Sequence, residues 1–465
     1  MLAGVARRDK SSPPPGLPHN GQIRQQVLDS AFKRVPIIPC HAFFLSMSPR
    51  HGHTGSTTQM NKNDAKKFRM RRPLWLLPLG MVVTTASQAG GLYLYETGTD
   101  DVGLASAGMA ARAQDATVQF MNPAGLSHLQ GRHLTMGGQL LYGDVPYDLD
   151  DPAYDDVDTV VGWFPSASLY YSQQLDDRWT LGLATYGNYG MGLDFGGWEG
   201  QQLVKEATLM ALTMQPGIAY RIDDHWSLGA AMGINYGLFA LKRETGSGEQ
   251  KLDDTDWALN GKFGILYELD QRTRFGLAYS SRVKYHFDVQ TRITLQRPNL
   301  PDVSTELPLS GMVNTPQQVM LSGYHEFAPD WAIMGNLGWQ DWSEYNKNHV
   351  TLFGRDTADK ALFQDTYHVA LGLQHVLTSQ WTLNGGVAYD TSVYEDQDDT
   401  TLTIPSGAAI RLGVGARYAL SAQESIGASM EYLTQEDSYV QGNDLSGRYD
   451  DGRFYFFAVN YSKTF

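Results

Sequence analysis

Serines, histidines and runs of acid are the residues of this 465-residue chain that invite a chemical reading. A hydrolase needs a nucleophile beside a base, yet the serines and histidines are scattered, with no Gly-x-Ser-x-Gly elbow and no His-Glu-x-x-His pair. The single cysteine, Cys40, lies far upstream, so the rest of the chain has neither a thiol nucleophile nor a disulfide. No catalytic residue is assigned and no enzyme is expected. The acid runs at 148–158 and 395–399 offer the carboxylate oxygens that hard cations favour. They lack the spacing of an EF-hand loop, and solvated loop charge is the better reading. No metal site and no cofactor is expected. A different signal is the run Gly187, Asn188, Tyr189, Gly190, Met191, Gly192. Its glycines allow irregular backbone and leave space beside it, and the Asn188 side chain can satisfy a backbone group that a kink leaves unpaired. Ordinary glycine packing or a plain bulge is the competing reading. In Asn122-Pro123-Ala124 the proline removes a donor and limits Asn122 to extended geometry, which suits a fixed exit into a strand or a plain turn.

The elements around these residues read as strands. At the carboxy-terminus Phe457, Val459, Tyr461 and Phe465 share one face, while Ala458, Asn460, Ser462 and Thr464 share the other. One face is apolar and the other small or polar, and the chain closes on an aromatic residue, as the last strand of an outer-membrane barrel does. Lys463 interrupts the apolar face where a long amine can reach the polar boundary. From about His133 onward, short turns precede strand formers at 176–178, 223–225, 270–272, 328–330, 378–380 and 421–423. Longer polar stretches separate them at 144–159, 192–205, 242–255, 296–312, 346–364, 394–406 and 434–451. Six short turns alternating with seven long loops predict an all-β chain: a transmembrane antiparallel β-barrel of 14 strands over 132–465, with both ends on the short-turn side. Trp179, Trp226, Trp331 and Trp381 follow the turns and belong in a periplasmic aromatic girdle. The stretch 90–131 does not fit the strand pattern. It is too short for a large domain and long enough for an amino-terminal hatch inside the barrel, since a wide barrel must be filled or it leaks.

Upstream, basic residues from Lys66 to Arg72 precede an apolar stretch that ends Ala86-Ser87-Gln88-Ala89. This is a secretory signal peptide over 70–89, with cleavage expected after Ala89. Residues 1–69 read as a non-native start or a disordered extension. Residues 1–89 hold 13 basic and 3 acidic residues. Their removal leaves 23 basic and 47 acidic, a formal charge of about −24. That acidity argues against nucleic acid, whose phosphates it repels. Mean hydropathy is −0.33 although Gly (48), Tyr (25), Phe (18) and Trp (10) are plentiful, which suits strands rather than helices in a membrane.

The chain resembles the FadL-like family of outer-membrane transporters for long-chain fatty acids and other hydrophobic compounds, which includes TodX-type hydrocarbon transporters. The resemblance covers residues 90–465. It rests on Asn122-Pro123-Ala124, on the run from Gly187 to Gly192, on the stretch from Thr273 to Ser281, on Trp339-Gln340-Asp341-Trp342-Ser343 and on the terminal Phe465. The resemblance implies a fourteen-stranded barrel with a hatch, in agreement with the count above. It implies that a hydrophobic ligand binds in the barrel, that the hatch rearranges, and that the ligand leaves sideways where the third strand is kinked. By the resemblance Leu92 and Leu94 touch the ligand, Asn122, Pro123 and Ala124 form the gate, and Gly187, Asn188, Tyr189, Gly190 and Gly192 flank the lateral opening. Arg243, counted from Trp226, matches the family's ligand-facing arginine. Lys347 is the nearest candidate for a second cation. Ala408 and Ala409 stand where the family commonly has an acidic-basic pair, which weakens a specific assignment to fatty acids. Expected partners are a long-chain fatty acid or other hydrophobic small molecule, outer-membrane lipid and lipopolysaccharide, and the barrel-assembly machinery through Phe465, with the protein a monomer in the outer membrane. Uptake of aromatic or alkane hydrocarbons stays open, and a general aqueous porin is the rival class.

Overall fold

The computed structural model describes residues 92–245, 248–295, 303–347, 349–352, 355–357, 363–442 and 445–465. The expected leader and its cleavage site lie outside the described residues. Fourteen antiparallel strands close into one barrel. In chain order they are β1 (Arg132–Asp144), β2 (Gly162–Gln174), β3 (Trp179–Asp194), β4 (Glu206–Arg221), β5 (Trp226–Thr245), β6 (Gly248–Glu268) and β7 (Thr273–Ser280). The second half comprises β8 (Gln318–Ala328), β9 (Trp331–Gln340), β10 (Thr366–Val376), β11 (Trp381–Asp390), β12 (Ala409–Ala419), β13 (Glu424–Gln435) and β14 (Arg453–Thr464). Closure runs through β1 and β14, from His133↔Thr464 to Asp144↔Arg453. A closed sheet leaves no edge of unpaired backbone in lipid. The predicted strand count and the predicted alternation of short turns with long connections both hold.

The period of two decides which side of the wall each residue meets. On β14, Phe457 and Val459 are exposed while Ala458 is buried. On β6, Trp257, Leu259 and Phe263 are exposed, and Ala258 and Lys262 between them are buried. The outward residues are apolar because they face hydrocarbon. At the turn end, Trp179, Trp226 and Trp381 pack on Tyr220, Tyr267 and Tyr418 with ring centroids 4.5–4.8 Å apart, and Trp331 stacks on His375 at 4.0 Å. Trp163 with Tyr142 and Trp257 with Tyr236 make similar pairs at the opposite end. These rings form the two interfacial belts of a membrane barrel. The turns are closed by their own acids. Asp176 accepts from the backbone N–H groups of Arg178 and Trp179 at 2.8 and 2.9 Å, and Asp223 does the same for His225 and Trp226. Those donors hold both carboxyls below their ordinary range.

The long connections differ from their reading as polar loops. The stretch 242–255 continues β5 and β6 as a paired ribbon, in register from Trp226↔Tyr267 to Thr245↔Gly248. The stretches 296–312 and 346–364 contribute strands to a separate four-stranded sheet, and 434–451 contributes to a three-stranded one. The physical reason is a sparse apolar register inside a polar run. Ala240, Leu241, Leu252 and Val289 cluster there, and Lys242 reaches Glu249 at 3.0 Å across the ribbon.

Residues 92–130 lie against the inner faces of the strands. They contain one short α-helix, Thr99–Gly103, and two 3-10 turns, Ala116–Phe120 and Pro123–His128. Barrel side chains meet their backbone at many points. Asn336 accepts from Gly108 N–H at 2.9 Å, Gln139 donates to Thr97 O at 2.9 Å, and Arg274 donates to Ala111 O at 2.7 Å.

One irregularity interrupts the wall. The β3–β4 register shifts between Gly187 and Tyr189, and Gly190 has φ +142°. A Cβ on Gly190 would stand 2.3 Å from the Leu209 carbonyl oxygen, whereas one on Gly187 meets nothing nearer than 3.5 Å. Gly190→Ala therefore forces a disfavoured backbone and a clash, a cost on the order of 1–3 kcal/mol. It should lower the midpoint of heat-induced unfolding in detergent, while Gly187→Ala leaves it unchanged. Equal midpoints for the two variants would remove the special role of Gly190.

Candidate functional site

The bulge in β3 coincides with a break in its pairing to β2. The two strands are in register only from Leu169↔Thr185 to Gln174↔Thr180, although β2 continues along β1 as far as Gly143↔Gly162. Further up, contact resumes outside the strand pair, where Asp194 N–H donates to Val160 O at 2.8 Å. Between these points β3 exposes an edge, and the amino-terminal segment occupies it. Leu94 N–H donates to Asn188 O, and Gly190 N–H donates to Leu92 O, each at 2.9 Å. Tyr93 forms an antiparallel bridge with Tyr189. The backbone of residues 92–94 thus meets the groups freed at the bulge, a task the sequence suggested for the Asn188 side chain. Leu92 is 1 % exposed and, with Leu94, belongs to the main apolar cluster. The structure brings Leu92, Leu94, Gly187, Asn188, Tyr189 and Gly190 together.

The same segment is held on its far side by buried charge. Arg411 on β12 is fully buried and bonds Glu96, the Asp390 carboxylate at 2.5 Å, and Glu431 at 3.2 Å. His368 Nδ1 sits 2.8 Å from the other Asp390 oxygen, and its ring lies 4.6 Å from that of Tyr95. Three carboxylates therefore surround one guanidinium. Removing one member of such a group strands the others in a dry interior.

Asn122, Pro123 and Ala124 stand in a different place, low against β5, β6 and β7. Asn122 Oδ1 accepts from Ala124 N–H at 3.0 Å, and its Nδ2 donates to Ala110 O at 2.7 Å and to Ile265 O at 3.0 Å. Asn122 therefore caps the turn Pro123–His128, with Pro123 at its first position. The wall is cut back to receive it. A Cβ on Gly229 would lie 2.1 Å from Ala124 N, one on Gly264 would lie 1.8 Å from Asn122 Oδ1, and one on Gly276 would lie 1.8 Å from Ala110 O. Only glycine permits that approach.

Arg243 is in a third place. It lies on the inward parity of β5 with Leu241 and Asn235, is buried, and donates from Nε and Nη2 to Gln250 Oε1 at 3.0 and 2.8 Å. Among the described residues no ion pair involves it. The side chain of Lys347 lies outside the described residues. The acid runs close their own loops, with Asp156 accepting from Leu149 N–H and Asp396 from Asp398 N–H. Among the described residues no group of three acids, histidines or cysteines is arranged to hold a metal. An apolar groove of about 450 Å³, lined by Trp179, Ile218, Leu228, Phe263 and Leu277, faces lipid rather than the lumen.

Sequence reasoning missed Arg411, Glu431 and Lys262. Each is a charged residue on the inward parity of its strand, and an ionisable residue at membrane depth is by default functional.

Replacing Asn122 with Ala deletes an acceptor for Ala124 N–H and a donor to two carbonyl oxygens. Each buried group left without its partner costs about 1–3 kcal/mol. Asn122→Ala should speed hydrogen exchange across residues 110–128 while β9 to β14 keep their protection. Unchanged exchange at 110–128 would show that these bonds do not hold the segment.

Comparison with known proteins agrees with this geometry. Residues 80–465 match the sequence profile of the outer membrane protein transport protein family (OMPP1/FadL/TodX). A long-chain fatty acid transport protein of Salmonella typhi is 26% identical over 427 residues, covering 83% of this chain and 96% of the relative. The 47 kDa outer membrane protein of Pasteurella multocida is 28% identical over 414 residues, covering 79% and 92%. Among solved structures, a Pseudomonas aeruginosa FadL homologue superposes with a TM-score of 0.69 at 18% identity over 81% of this chain and 100% of that one. The Pseudomonas putida toluene transporter TodX superposes with a TM-score of 0.65 at 16% identity, covering 80% and 99%. With its closed fourteen-stranded barrel and this match, the chain belongs to the OMPP1/FadL/TodX family of outer-membrane transport proteins.

Proposed function

We propose that this protein carries hydrophobic small molecules, long-chain fatty acids foremost, across the outer membrane and releases them sideways through its wall. The observation that carries the reading is the stretch where β2 and β3 do not pair, with the backbone of residues 92–94 bonded to the β3 edge there. In this reading the segment 90–131 is a hatch. Cleavage after Ala89 frees its end two residues before Leu92. A ligand entering among the extracellular loops displaces Leu92 and Leu94 from the edge of β3. The vacated edge is then a route into the membrane plane, flanked by Gly187, Asn188, Tyr189, Gly190 and Gly192. Lateral release keeps an alkyl chain out of water, which would cost about 0.8 kcal/mol per CH₂. Asn122, Pro123 and Ala124 keep the lower hatch seated while the upper part moves.

Arg243 is the polar end of the ligand site in this reading. Its guanidinium is buried, bound to a neutral amide, and suited to a carboxylate. The relatives named for long-chain fatty acid transport support an acid as the ligand. Hydrocarbon uptake by the same route is the second reading, favoured by the apolar Leu92 and Leu94 at the wall. An aqueous porin fits less well, because residues 92–130 pack against the inner faces of the strands. Outer-membrane lipid and lipopolysaccharide surround the barrel, the barrel-assembly machinery meets Phe465, and the protein works as a monomer.

Cells that depend on this protein should take up a long-chain fatty acid, and Arg243→Ala should weaken binding of that acid to purified protein. A charge-assisted hydrogen bond contributes about 1.5–3 kcal/mol, which corresponds to roughly a ten- to hundredfold loss. The matched alkane should bind both forms alike. Equal losses for acid and alkane would remove Arg243 from the site. Tighter native binding of the alkane would favour the hydrocarbon reading.

A further inference from the structure

Behind the bulge of β3 lies a small interior cavity of about 30 Å³. Its lining includes Tyr93, Asn188, Tyr189, Lys262 and Tyr285. Three observations set it apart from ordinary interior packing. First, Lys262 on β6 is 3 % exposed, and among the described residues no acid pairs with it. Its ammonium donates to Phe120 O at 2.5 Å and to Tyr186 Oη at 3.0 Å, and lies 4.6 Å from the centre of the Phe120 ring. An ammonium has three donors, so one remains beyond these two bonds. Second, the Tyr189 and Tyr285 hydroxyls are buried without a hydrogen-bond partner, on residues 6 % and 1 % exposed. Buried polar groups are nearly always paired, and an orphan calls for an explanation. Third, Tyr93 and Tyr189, which bridge hatch to wall, line the same space.

We infer that this cavity is an anion subsite that takes the carboxylate of an apolar-chain acid as it passes from the lumen to the opening in the wall. The inference rests on the transport reading above and deepens it. A cation without a counter-ion and two hydroxyls without acceptors lack what a carboxylate brings: negative charge and several acceptor lone pairs. The volume matches. About 30 Å³ admits one small polar group, so the headgroup enters here and the chain lies along the Phe120 and Tyr186 rings or in the gap. The site is separate from Arg243. Lys262 pairs with Ala231 and Gln250 pairs with Arg243 in one β5–β6 register, which sets the two cations twelve residues, or roughly 40 Å, apart along the strands. The inner site also bears on the hatch. Lys262 grips the Phe120 carbonyl at the end of the turn Ala116–Phe120, so an arriving carboxylate competes for the group that holds that turn.

The test compares a long-chain fatty acid with the alcohol of equal chain length and with a phosphate-headed lysolipid, each titrated into purified protein. Lys262→Met should weaken the acid at least tenfold and leave the alcohol unchanged, and Lys262→Arg should restore most of the loss. The acid, and not the alcohol, should raise hydrogen exchange at residues 116–120 of the native protein. Tyr285→Phe, which keeps the ring, should weaken the acid severalfold and serves if Lys262→Met does not fold. Equal acid affinity in native protein, Lys262→Met and Tyr285→Phe would overturn the subsite. So would equal losses for acid and alcohol, or a lysolipid that responds to Lys262→Met as strongly as the acid. Uptake is read separately in cells. Absence of acid uptake by the native protein would overturn the transport reading, whatever the binding shows.

Discussion

A chain in hydrocarbon has no water to satisfy its peptide groups, and every other feature of this protein depends on that constraint. Closure of fourteen strands satisfies it almost everywhere. Between β2 and β3 the ladder stops at Leu169↔Thr185, and the constraint must be met by other means. Two hydrogen bonds from residues 92–94 meet it at Asn188 and Gly190. Backbone from outside the sheet is thereby part of the wall. In the proposed route such a piece leaves without unfolding a strand, because β3 stays paired with β4 from Trp179↔Tyr220 to Asp194↔Glu206 apart from the shift between Gly187 and Tyr189.

The interior shows how residues 92–130 are kept in place. Glycines on β5, β6 and β7 bring the wall within contact of Asn122 and Ala124. Polar bonds through Asn122, Asn336 and Arg274 add direction to the apolar packing of the segment against the wall. The upper end is held by the Arg411 cluster through Glu96. These contacts differ in kind. The glycine seat is steric, whereas Leu92 and Leu94 are held by backbone hydrogen bonds and Glu96 by an ion pair. In the proposed route the lower half stays seated and the upper half moves.

Much of this was legible in the sequence. The alternation Phe457, Ala458, Val459 gave the faces of β14, and the Asp-Asp-x-Trp turns gave the short-turn side, because each rests on a local period or a local hydrogen bond. The run from Gly187 to Gly192 marked the bulge for the same reason: Gly190 has a φ that few other residues adopt. The ribbon at 242–255 was not legible, since its Leu241 and Leu252 become a pattern only when the two strands are laid side by side. The roles of Lys262 and Arg411 were hidden for a related reason. Their partners are Phe120, 142 residues away, and Glu96, 315 residues away, and no local rule reports such contacts. The pairing of residues 92–94 with Asn188 and Gly190 has the same long-range character.

In the proposed route residues 92–94 must leave the edge of β3 for a ligand to pass. Tyr93 and Tyr189 form a directly opposed antiparallel pair flanked by the two hydrogen bonds. Non-hydrogen-bonded pairs of this kind hold Cα atoms about 4.5 Å apart, within disulfide reach. The native cysteine, Cys40, lies upstream of this region. A double variant, Tyr93→Cys with Tyr189→Cys, can therefore be locked by oxidation and released by reduction. Oxidised cells should lose uptake of a long-chain fatty acid at least tenfold and regain it with reductant, while each single variant is indifferent to oxidant. Uptake that continues undiminished with the disulfide fully formed would contradict it.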